Sequence, residues 1–528
     1  MLIYFVIVPI LIAVFLYFFS DKIGRVIAIV AQLLFVLGAF YLLFQTQYSG
    51  EIVTNVGNFR SFLGIYLMAD TLTAVFVLLS AVMFLAAAIF SINENRSKLF
   101  WFLLFLWESA LIGLFLTRDF FNIFVMAEVA TVVVAVLLMY DRDKRRIYHG
   151  MIFLMTNVVA VQFYLFGVGY LYMVTGRMDL LAAGEILRQL PPAQVYLAYG
   201  LIMTAIAFKC ALLPLSSWFV KVSSVPRAPI AIATILSALH VKGGIYLFIR
   251  FQALFGEVIP PAFYIILGVI TGVVGVVVAL SQKDIMLILA YSSVAQIGLI
   301  MVGLNMGTAY AYTGALYHVI NHALFKGALF FGAGMIAQAY DMRDINRIRG
   351  IWQRDKVFTI AQLMAILGIA GAPFFNGSIS KYFMAADAGL PLTAAMAVIN
   401  LGTILVYLKY AGMFRGKVST NNPYLPDRCG KGVVIALGLP CLVFGILGPW
   451  IIYFLFGKDM QVSPWGYTEK MLIFAVSVCV ALVIARYGAS ANKALEKMGL
   501  RMNFGFRGIC ASIGVFFGII LIVAAIFN

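Results

Sequence analysis

Residues 262–281 read AFYIILGVITGVVGVVVALS and contain no charged side chain. A helix of about 20 apolar residues is long enough to cross the hydrocarbon core of a bilayer, so this segment predicts a transmembrane helix. The rest of the 528-residue chain has the same character, because 64% of its residues are hydrophobic and 11% are charged. This composition excludes a string of soluble domains.

Apolar runs of about 18 residues or more recur along the whole chain and predict sixteen spans. They lie near residues 2–20, 23–45, 65–91, 99–117, 120–140, 149–174, 195–218, 228–250, 262–281, 285–305, 309–338, 357–387, 391–414, 432–457, 468–486 and 505–527. The expected fold is an all-α polytopic membrane protein with about 14 to 16 transmembrane helices. Residues 179–190 are too short and too polar to span and are expected along the membrane interface. The first run has no cleavage motif and is expected to be retained as a helix.

The distribution of basic residues predicts the orientation of these helices. Connectors after odd-numbered helices carry 24 Lys and Arg residues, whereas connectors after even-numbered helices carry 7. Because cytoplasmic connectors are enriched in Lys and Arg, we expect the N-terminus outside a cell inner (cytoplasmic) membrane. The same connectors account for most of the net charge of +16, so no nucleic-acid partner is expected.

Cofactor motifs are missing from the sequence. The five cysteines include no CxxC pair, which argues against a disulfide framework, a metal site or an iron–sulfur cluster. The sequence also contains no glycine-rich dinucleotide signature, no P-loop and no haem-ligand motif. We therefore expect no cofactor, and whether the protein is an enzyme in its own right stays uncertain.

A separate group of charges falls inside the predicted spans. It consists of Lys209, Lys242, Lys326, Lys381, Lys409, Arg507, Glu108 and Glu128, with Asp70 inside the third predicted helix. A charge at the bilayer centre costs about 2.5 to 3.5 kcal/mol on insertion scales, so these groups should face protein or water and have a function there. The alternatives are structural ion pairs and, for Lys326, Lys409 and Arg507 near helix ends, snorkelling to the interface.

One span contains a lysine followed by a helix breaker. In residues 208–218, FKCALLPLSSW, Pro214 removes a backbone donor about one turn after Lys209. Unwound backbone inside a bilayer is tolerated where it is buried in protein or contacts water. The segment therefore predicts a hydrated break beside a lysine.

A second break is predicted five spans later. Residues 371–378, GAPFFNGS, include Pro373 and Gly377 and interrupt a span just before Lys381. Two such breaks predict two related five-helix units, and an odd number of helices requires that the second unit be inverted. The expected organisation is N-terminal helices 1–3 in residues 1–98, a first repeat in 99–252, an inverted repeat in 262–414, and C-terminal helices in 432–528.

His318 and His322 are four residues apart and therefore share one helical face. This spacing also suits zinc, but no glutamate lies between them and no third ligand is evident, so no metal is expected. A proton relay fits better, since neutral imidazole accepts at one nitrogen and donates from the other. A purely structural pair of hydrogen-bonded histidines is the alternative. His240 lies two residues before Lys242 and is expected to point away from it.

Lysines in a low-dielectric site can exchange protons, because burial disfavours the ammonium form and a nearby carboxylate restores it. Glu128 is the natural partner for Lys209. Water is expected between the groups of the series. That series runs from Glu128 and Lys209 to Lys242, then to His318 and His322, and then to Lys381.

At these residues the sequence resembles the antiporter-like subunits of respiratory complex I and their relatives in Mrp-type Na+/H+ antiporters and membrane-bound hydrogenases. The resemblance covers roughly residues 60–415. It rests on Gly64 and Ile65 with Asp70, DFFNIF at 119–124 before Glu128, Lys209 with Pro214 and Trp218, KGGIY at 242–246 with Arg250, QKDI at 282–285, His318 to Lys326, and Gly371 to Lys381.

The resemblance implies a proton channel in which Glu128 and Lys209 form a switchable pair and Lys381 is the exit-side lysine. Lys242, His318 and His322 would relay protons between them. The candidate proton-translocation residues are Glu128, Lys209, Lys242, His318, His322, Lys326, Lys381 and Lys409, with helix-break residues Pro214, Pro373 and Gly377. The chain departs from the family pattern at Ala127, where Trp usually precedes the glutamate, which changes the expected hydration there.

Two functions fit these observations. The first is a proton-translocating, non-redox membrane subunit of a multisubunit energy-transducing complex. Its expected partners are other membrane subunits, the lipid bilayer and protons, with sodium left open as a second ion. The alternative is a stand-alone Na+/H+ antiporter or another secondary transporter. Sodium prefers oxygen ligands, and a series of lysines is a poor sodium site, which favours protons.

Overall fold

The computed structural model describes residues 1–58, 64–94, 96–140, 143–226, 228–419, 427–487, 494–497 and 504–527. Every candidate site residue lies within these ranges. Five of the basic residues counted for the orientation lie outside them, namely Arg60, Arg142, Arg227, Lys493 and Arg501.

The described chain is almost entirely helical. In the first half the elements are α1 (Tyr4–Phe15), α2 (Asp21–Ser49), β1 (Ile52–Asn55), β2 (Tyr66–Ala69), α3 (Thr71–Ser91), α4 (Lys98–Leu116), α5 (Phe120–Met139), α6 (Lys144–Thr175), α7 (Leu180–Leu187), α8 (Tyr196–Lys209), α9 (Ser217–Ser223), α10 (Ile230–Ile235) and α11 (Val241–Phe255). A π-helical turn, Leu236–His240, joins α10 to α11.

In the second half the elements are α12 (Pro261–Ser281), α13 (Ile285–Asn305), α14 (Ala309–Tyr340), α15 (Ile351–Arg354), α16 (Lys356–Ala370), α17 (Asn376–Ala385), α18 (Leu390–Ala411), α19 (Arg428–Ile446), α20 (Gly448–Phe456), α21 (Pro464–Tyr487) and α22 (Phe506–Phe527). Short 3-10 turns lie at Leu16–Phe18, Val56–Asn58, Pro192–Gln194 and Gly412–Phe414.

Among the described residues, 13 helices are long and apolar enough to cross a membrane. Shorter apolar helices cover Tyr4–Phe18, Tyr196–Lys209 and Lys356–Ala370, where spans were also predicted. The prediction of an all-α polytopic membrane protein is confirmed. A two-stranded antiparallel sheet, in which Ile52 pairs with Ala69, was not predicted.

Aspartates cap the N-termini of many helices. Their carboxylates accept hydrogen bonds from backbone N–H groups in the first helical turn, which otherwise lack partners. These caps are Asp70, Asp119, Asp143, Asp179, Asp284, Asp355 and Asp427. The expectation that Asp70 lies inside the third span is wrong, because it is the residue before α3.

The first compact unit comprises Met1–Ile235, Leu239–Pro260 and Phe504–Asn528. In it, α4 packs against α1, α3 and α5, and α6 packs against α5 and α8. The broken segment α8–α9 contacts α6, and α11 packs along α8. The last helix, α22, covers α6 and α8.

The second compact unit comprises Leu236–Ala238 and Pro261–Asn503. Its centre is α14, which is buried from Thr313 to Ile336 and packs against α13, α16, α17 and α19. The uncharged helix α12 lies against α13, where a Cβ at Gly268 would come within 2.7 Å of Gly298 O, so small residues allow the close approach. The helix α21 contacts α18 and buries Ala481, while most of its other side chains are exposed.

One loop arrangement occurs in both units. In the first unit, Phe120 N donates to Met178 O and Leu180 N donates to Arg118 O, which joins the loop before α5 to the loop after the 32-residue helix α6. In the second unit, two backbone hydrogen bonds likewise join the loop before α13 to the loop after the 32-residue helix α14. They run from Ile285 N to Arg343 O and from Ile345 N to Lys283 O. A helix that breaks near its end follows in each case.

Candidate functional site

The first helix break lies at the end of α8, whose last residue is Lys209. Ala211 adopts a positive φ of 55°, and α9 starts only after Pro214. At the break, Phe208 O accepts a 2.8 Å hydrogen bond from Trp218 Nε1, and the two aromatic rings stack. The break predicted at Pro214 is present, and the indole of Trp218 provides a hydrogen-bond donor for one backbone carbonyl beside it.

Lys209 is bound by neutral polar groups. Its Nζ donates hydrogen bonds of 2.9 Å to Thr131 Oγ1 on α5 and to Asn157 Oδ1 on α6. Glu128 on α5 lies within electrostatic range of Lys209. Within the described chain the two form no direct ion pair, and Glu128 Oε1 is buried without a hydrogen-bond partner. The pair is therefore close enough to couple but is not locked together.

A cavity of about 20 Å³ adjoins Lys209. Its walls come from α5, α6, α8 and α11 and include Ala127 and Tyr164. One water molecule requires about 10–15 Å³ of such space, so the cavity has about the volume of a single water. The small side chain of Ala127 lies on the wall of this space.

Lys242 is completely buried in α11. Its helix packs against α8 and α4 within the first unit. His240 contacts two indole rings, those of Trp107 and Trp218. Lys242 is thus enclosed by protein, which is the environment expected for a charged residue within a span.

Gly244 lets α11 approach the end of α8. A Cβ at this position would lie 2.6 Å from Cys210 N and from Lys209 C. Gly244→Ala is therefore expected to displace α11 from the break and to lower the free energy of unfolding by about 1–3 kcal/mol. The measurement is thermal unfolding of the purified protein in detergent.

Gly169→Ala is the matched control for this prediction. Gly169 is an exposed glycine of α6, and a Cβ there would meet nothing within 4 Å. Alanine is the better helix former, so this variant should be as stable as the parent or slightly more stable. Equal melting temperatures for the two alanine variants would contradict a close contact at Gly244.

The second break separates α16 from α17 and has Lys381 beside it. Gly371 and Phe374 adopt positive φ angles of 77° and 67° between the two helices. Lys381 Nζ donates 2.7 Å hydrogen bonds to Ile369 O, a carbonyl at the break, and to Asn400 Oδ1. The lysine thus binds the backbone that the interruption exposes, in the region predicted from Pro373 and Gly377.

A larger cavity of about 200 Å³ opens beside Lys381. Most of its lining is apolar, and its polar residues include Asn400, Thr393 and Lys470 of α21. This volume accommodates several waters. Lys381 therefore borders a space through which water can reach its amine.

His318 is the centre of a hydrogen-bonded series within the second unit. Its Nδ1 lies 2.8 Å from Ser380 Oγ, and its Nε2 lies 3.0 Å from Gln296 Oε1. Gln296 Nε2 in turn donates to Thr403 Oγ1 at 3.2 Å. Both ring nitrogens are used, as a relay requires, and Ser380 precedes Lys381 directly on α17.

His322 and Lys326 continue along the same buried helix. His322 packs edge-on against Phe325. Lys326 Nζ donates to Leu289 O at 2.8 Å, to Tyr407 Oη at 3.1 Å, and to Ser292 Oγ. The alternative that Lys326 snorkels to the interface is excluded, because the side chain has no exposed surface.

Lys409 lies near the end of α18 and is bound by two backbone carbonyls and one carboxylate. Its Nζ donates 2.8 Å hydrogen bonds to Leu280 O and Gln282 O at the C-terminal end of α12. It also forms a 2.8 Å ion pair with Glu496, whose carboxylate lies 3.9 Å from Lys283. Lys409 thus lies in a cluster of charged and carbonyl groups at a helix end.

Comparison with known proteins identifies the family. The family model described as NADH:quinone oxidoreductase/Mrp antiporter, TM matches residues 117–406, which is more than half of the chain. The chain belongs to this family. The matched residues include every candidate from Glu128 to Lys381, whereas Lys409 and the helices α19–α22 lie beyond them.

Curated relatives come from two kinds of assembly. The antiporter-family chain is 28% identical over 488 residues to a Na(+)/H(+) antiporter subunit of Alkalihalophilus pseudofirmus, covering 88% of this chain and 98% of that protein. It is 31% identical over 362 residues to an NADH-quinone oxidoreductase subunit of Desulforudis audaxviator, covering 65% and 71%. Both relatives are named as parts of larger assemblies.

Two solved structures share the fold. A chain of the membrane-bound sulfane sulfur reductase, an archaeal respiratory membrane complex, superimposes with a TM-score of 0.79 at 22% identity, covering 90% of this chain and 99% of that one. A chain of the Mrp complex from Dietzia sp. gives a TM-score of 0.78 at 21% identity, covering 94% and 99%. The antiporter-like architecture is therefore shared along almost the whole chain.

A charge cluster at one end of the first unit was not predicted as a site. Arg250 Nη2 lies 2.5 Å from Asp70 Oδ1, and Arg118 Nη2 lies 3.8 Å from the same oxygen. Arg118 also donates to Tyr246 Oη at 3.0 Å. Burial alone would raise the pKa of Asp70, but the two guanidinium groups outweigh it and hold that pKa well below its usual range. This cluster ties α3 and α11 to the α4–α5 loop.

Proposed function

We propose that this antiporter-family chain translocates protons as a non-redox membrane subunit of a multisubunit energy-transducing complex. The observation that carries the proposal is the contact set of Lys209 and Lys381. Each amine lies at a helix break, is bound by neutral oxygen atoms, and borders a cavity. An amine in such a site can gain and lose a proton without the cost of breaking a locked ion pair.

In the proposed mechanism, Glu128 controls Lys209 in the first unit. When the carboxylate approaches, the ammonium form is stabilised, and when it recedes, the proton is released. Lys242 accepts protons in the interior of the same unit. In the second unit, His318, with His322 and Lys326 on the same helix, supplies the relay, and Lys381 releases the proton into the 200 Å³ cavity.

The two loop arrangements support an inverted repeat of residues 99–252 and 262–414. Phe120 and Met178, which share a backbone hydrogen bond, lie at connectors that follow even-numbered predicted helices. Ile285 and Arg343, which share the equivalent bond, lie at connectors that follow odd-numbered predicted helices. Equivalent loops would therefore face opposite sides of the membrane. That relation is expected of two units with an odd number of helices.

The orientation proposed from the basic connectors is compatible with proton exit at Lys381. With the N-terminus outside, the cavity at the start of α18 and α21 opens outward. Lys409, at the other end of α18, then lies on the cytoplasmic side. The proposed location is the cytoplasmic membrane, with other membrane subunits as partners.

Ion-replacement transport assays test this function. In vesicles that contain the assembled complex, acidification should persist when sodium is replaced by choline, because the proposed groups are amines and imidazoles. The isolated chain in liposomes should not exchange sodium for protons under an imposed sodium gradient. Sodium-dependent exchange by the isolated chain would favour a stand-alone Na+/H+ antiporter instead.

A further inference from the structure

His240 is a buried histidine that the proposed proton path does not use. It is the last residue of the π-helical turn and has 6% of its surface exposed. Trp107 Nε1 donates a 3.3 Å hydrogen bond to His240 Nδ1, and the two ring centroids are 5.8 Å apart. Trp218, which also binds the backbone at the first break, packs on the imidazole with its ring centroid 6.4 Å away.

The contact with Trp107 determines which imidazole nitrogen carries the hydrogen. An indole nitrogen is a donor and never an acceptor, so His240 Nδ1 must offer its lone pair. In neutral imidazole the hydrogen is then on Nε2. That nitrogen has no hydrogen-bond partner among the described residues, although it is buried. A buried N–H group without a protein acceptor is typically satisfied by an ordered water.

The surroundings of His240 indicate that this water would lie near Lys209. Trp218, which packs on His240, also binds Phe208 O, the carbonyl of the residue before Lys209. Lys209 uses two donors on Thr131 and Asn157, which leaves one position of its amine for a further partner. π-Helical turns inside α-helices are frequent at functional sites, because they shift side chains out of the regular register.

We propose that His240 is a positioning residue that donates its Nε2–H to an internal water beside Lys209 and so fixes the orientation of that water. This inference rests on the proposed proton-transport function. A water that accepts from imidazole has its own hydrogens directed away from the ring. It can then give a proton to the neutral amine of Lys209, which becomes an ammonium group, and be reprotonated by the next water in the chain. One proton thus moves along the waters to Lys209, and no atom is lost.

The imidazole itself does not carry the proton in this arrangement. Transfer through the ring would require Nδ1 to bear a hydrogen in one step, and the Trp107 donor opposes that state. The role of His240 is therefore to supply one oriented donor. A glutamine can supply the same pair of contacts, since its amide oxygen accepts from Trp107 and its amide nitrogen donates.

The test compares His240→Leu with His240→Gln in vesicles that contain the assembled complex. His240→Leu should reduce the proton-transport rate about tenfold, the effect of one lost hydrogen bond in the path. His240→Gln should retain at least about half of the rate, because it restores the donor. Two results would overturn the role: full transport by the leucine variant, or equal loss in both variants, which would mean that the ring carries the proton.

Two measurements on the parent protein do not depend on transport. Nitrogen NMR of labelled histidine should report a neutral imidazole protonated at Nε2, and a high-resolution density map should show a water within hydrogen-bond distance of that atom. A ring protonated at Nδ1, or a dry Nε2, would refute the inference even if the leucine variant failed to assemble. If Lys209→Ala also leaves transport intact, the proposed function itself fails; if only His240→Leu does, only this inference fails.

Discussion

Lys209→Ala is expected to reduce proton transport by about a hundredfold or more while the complex still assembles. Loss of a positioned proton carrier typically costs this much in rate. The amine lies at the break between α8 and α9, and its hydrogen bonds to Thr131 and Asn157 leave it free of any locked counter-ion. Alanine leaves the break and its Trp218 contact intact, so the loss is chemical and not structural.

Glu128→Gln should have a similar effect, because it removes the charge that favours the ammonium form of Lys209. The double variant should be no worse than either single variant, since both changes interrupt the same step. Acidification of membrane vesicles measures the rate, and native electrophoresis measures assembly. Lys22→Ala, an exposed lysine of α2, is the control and should stay near the parent rate.

A transport rate above about half of the parent value in Lys209→Ala would exclude the switch. Additive losses in the double variant would mean that Glu128 and Lys209 act at separate steps. Loss of assembly in both variants, with Lys22→Ala intact, would instead indicate a structural role for the pair.

The sequence predicts the fold well because hydrophobic length is a local property. Runs of apolar residues determine the spans, and a lysine near Pro214 or before Pro373 marks each break without knowledge of any contact. The small sheet escaped prediction, since its strands are short: Ile52–Asn55 lies in a connector, and Tyr66–Ala69 was assigned to the start of the third span, near residues 65–91. Asp70 was placed inside a helix because a capping residue and a buried carboxylate look alike at the edge of an apolar run.

The contacts around the site could not be predicted, because they join residues far apart in the chain. Thr131 and Asn157 bind Lys209 from 78 and 52 residues away, and neither lies in a recognisable motif. Glu496 binds Lys409 from a connector whose path the sequence does not reveal. His240 was expected only to face away from Lys242. Its hydrogen-bond partner Trp107 lies 133 residues earlier in the chain and could not be predicted.

Lys381→Ala is expected to stop transport nearly as completely as Lys209→Ala, by about a hundredfold. Lys409→Ala should lower it only a few-fold. The two lysines are similar in sequence, since each lies in an apolar span, but their surroundings differ. Lys381 borders the 200 Å³ cavity and binds the open backbone at Ile369, whereas Lys409 pairs with Glu496 and caps α12.

Lys409→Ala therefore serves as the matched control, and Glu496→Gln separates its two contributions. If Lys409 has a structural role, Glu496→Gln should resemble Lys409→Ala and both should lower the melting temperature more than Lys381→Ala does. Vesicle acidification and thermal unfolding measure the two effects on the same preparations. A greater transport loss in Lys409→Ala than in Lys381→Ala would move the exit lysine to the end of α18, because the cavity beside Lys381 would then carry no proton.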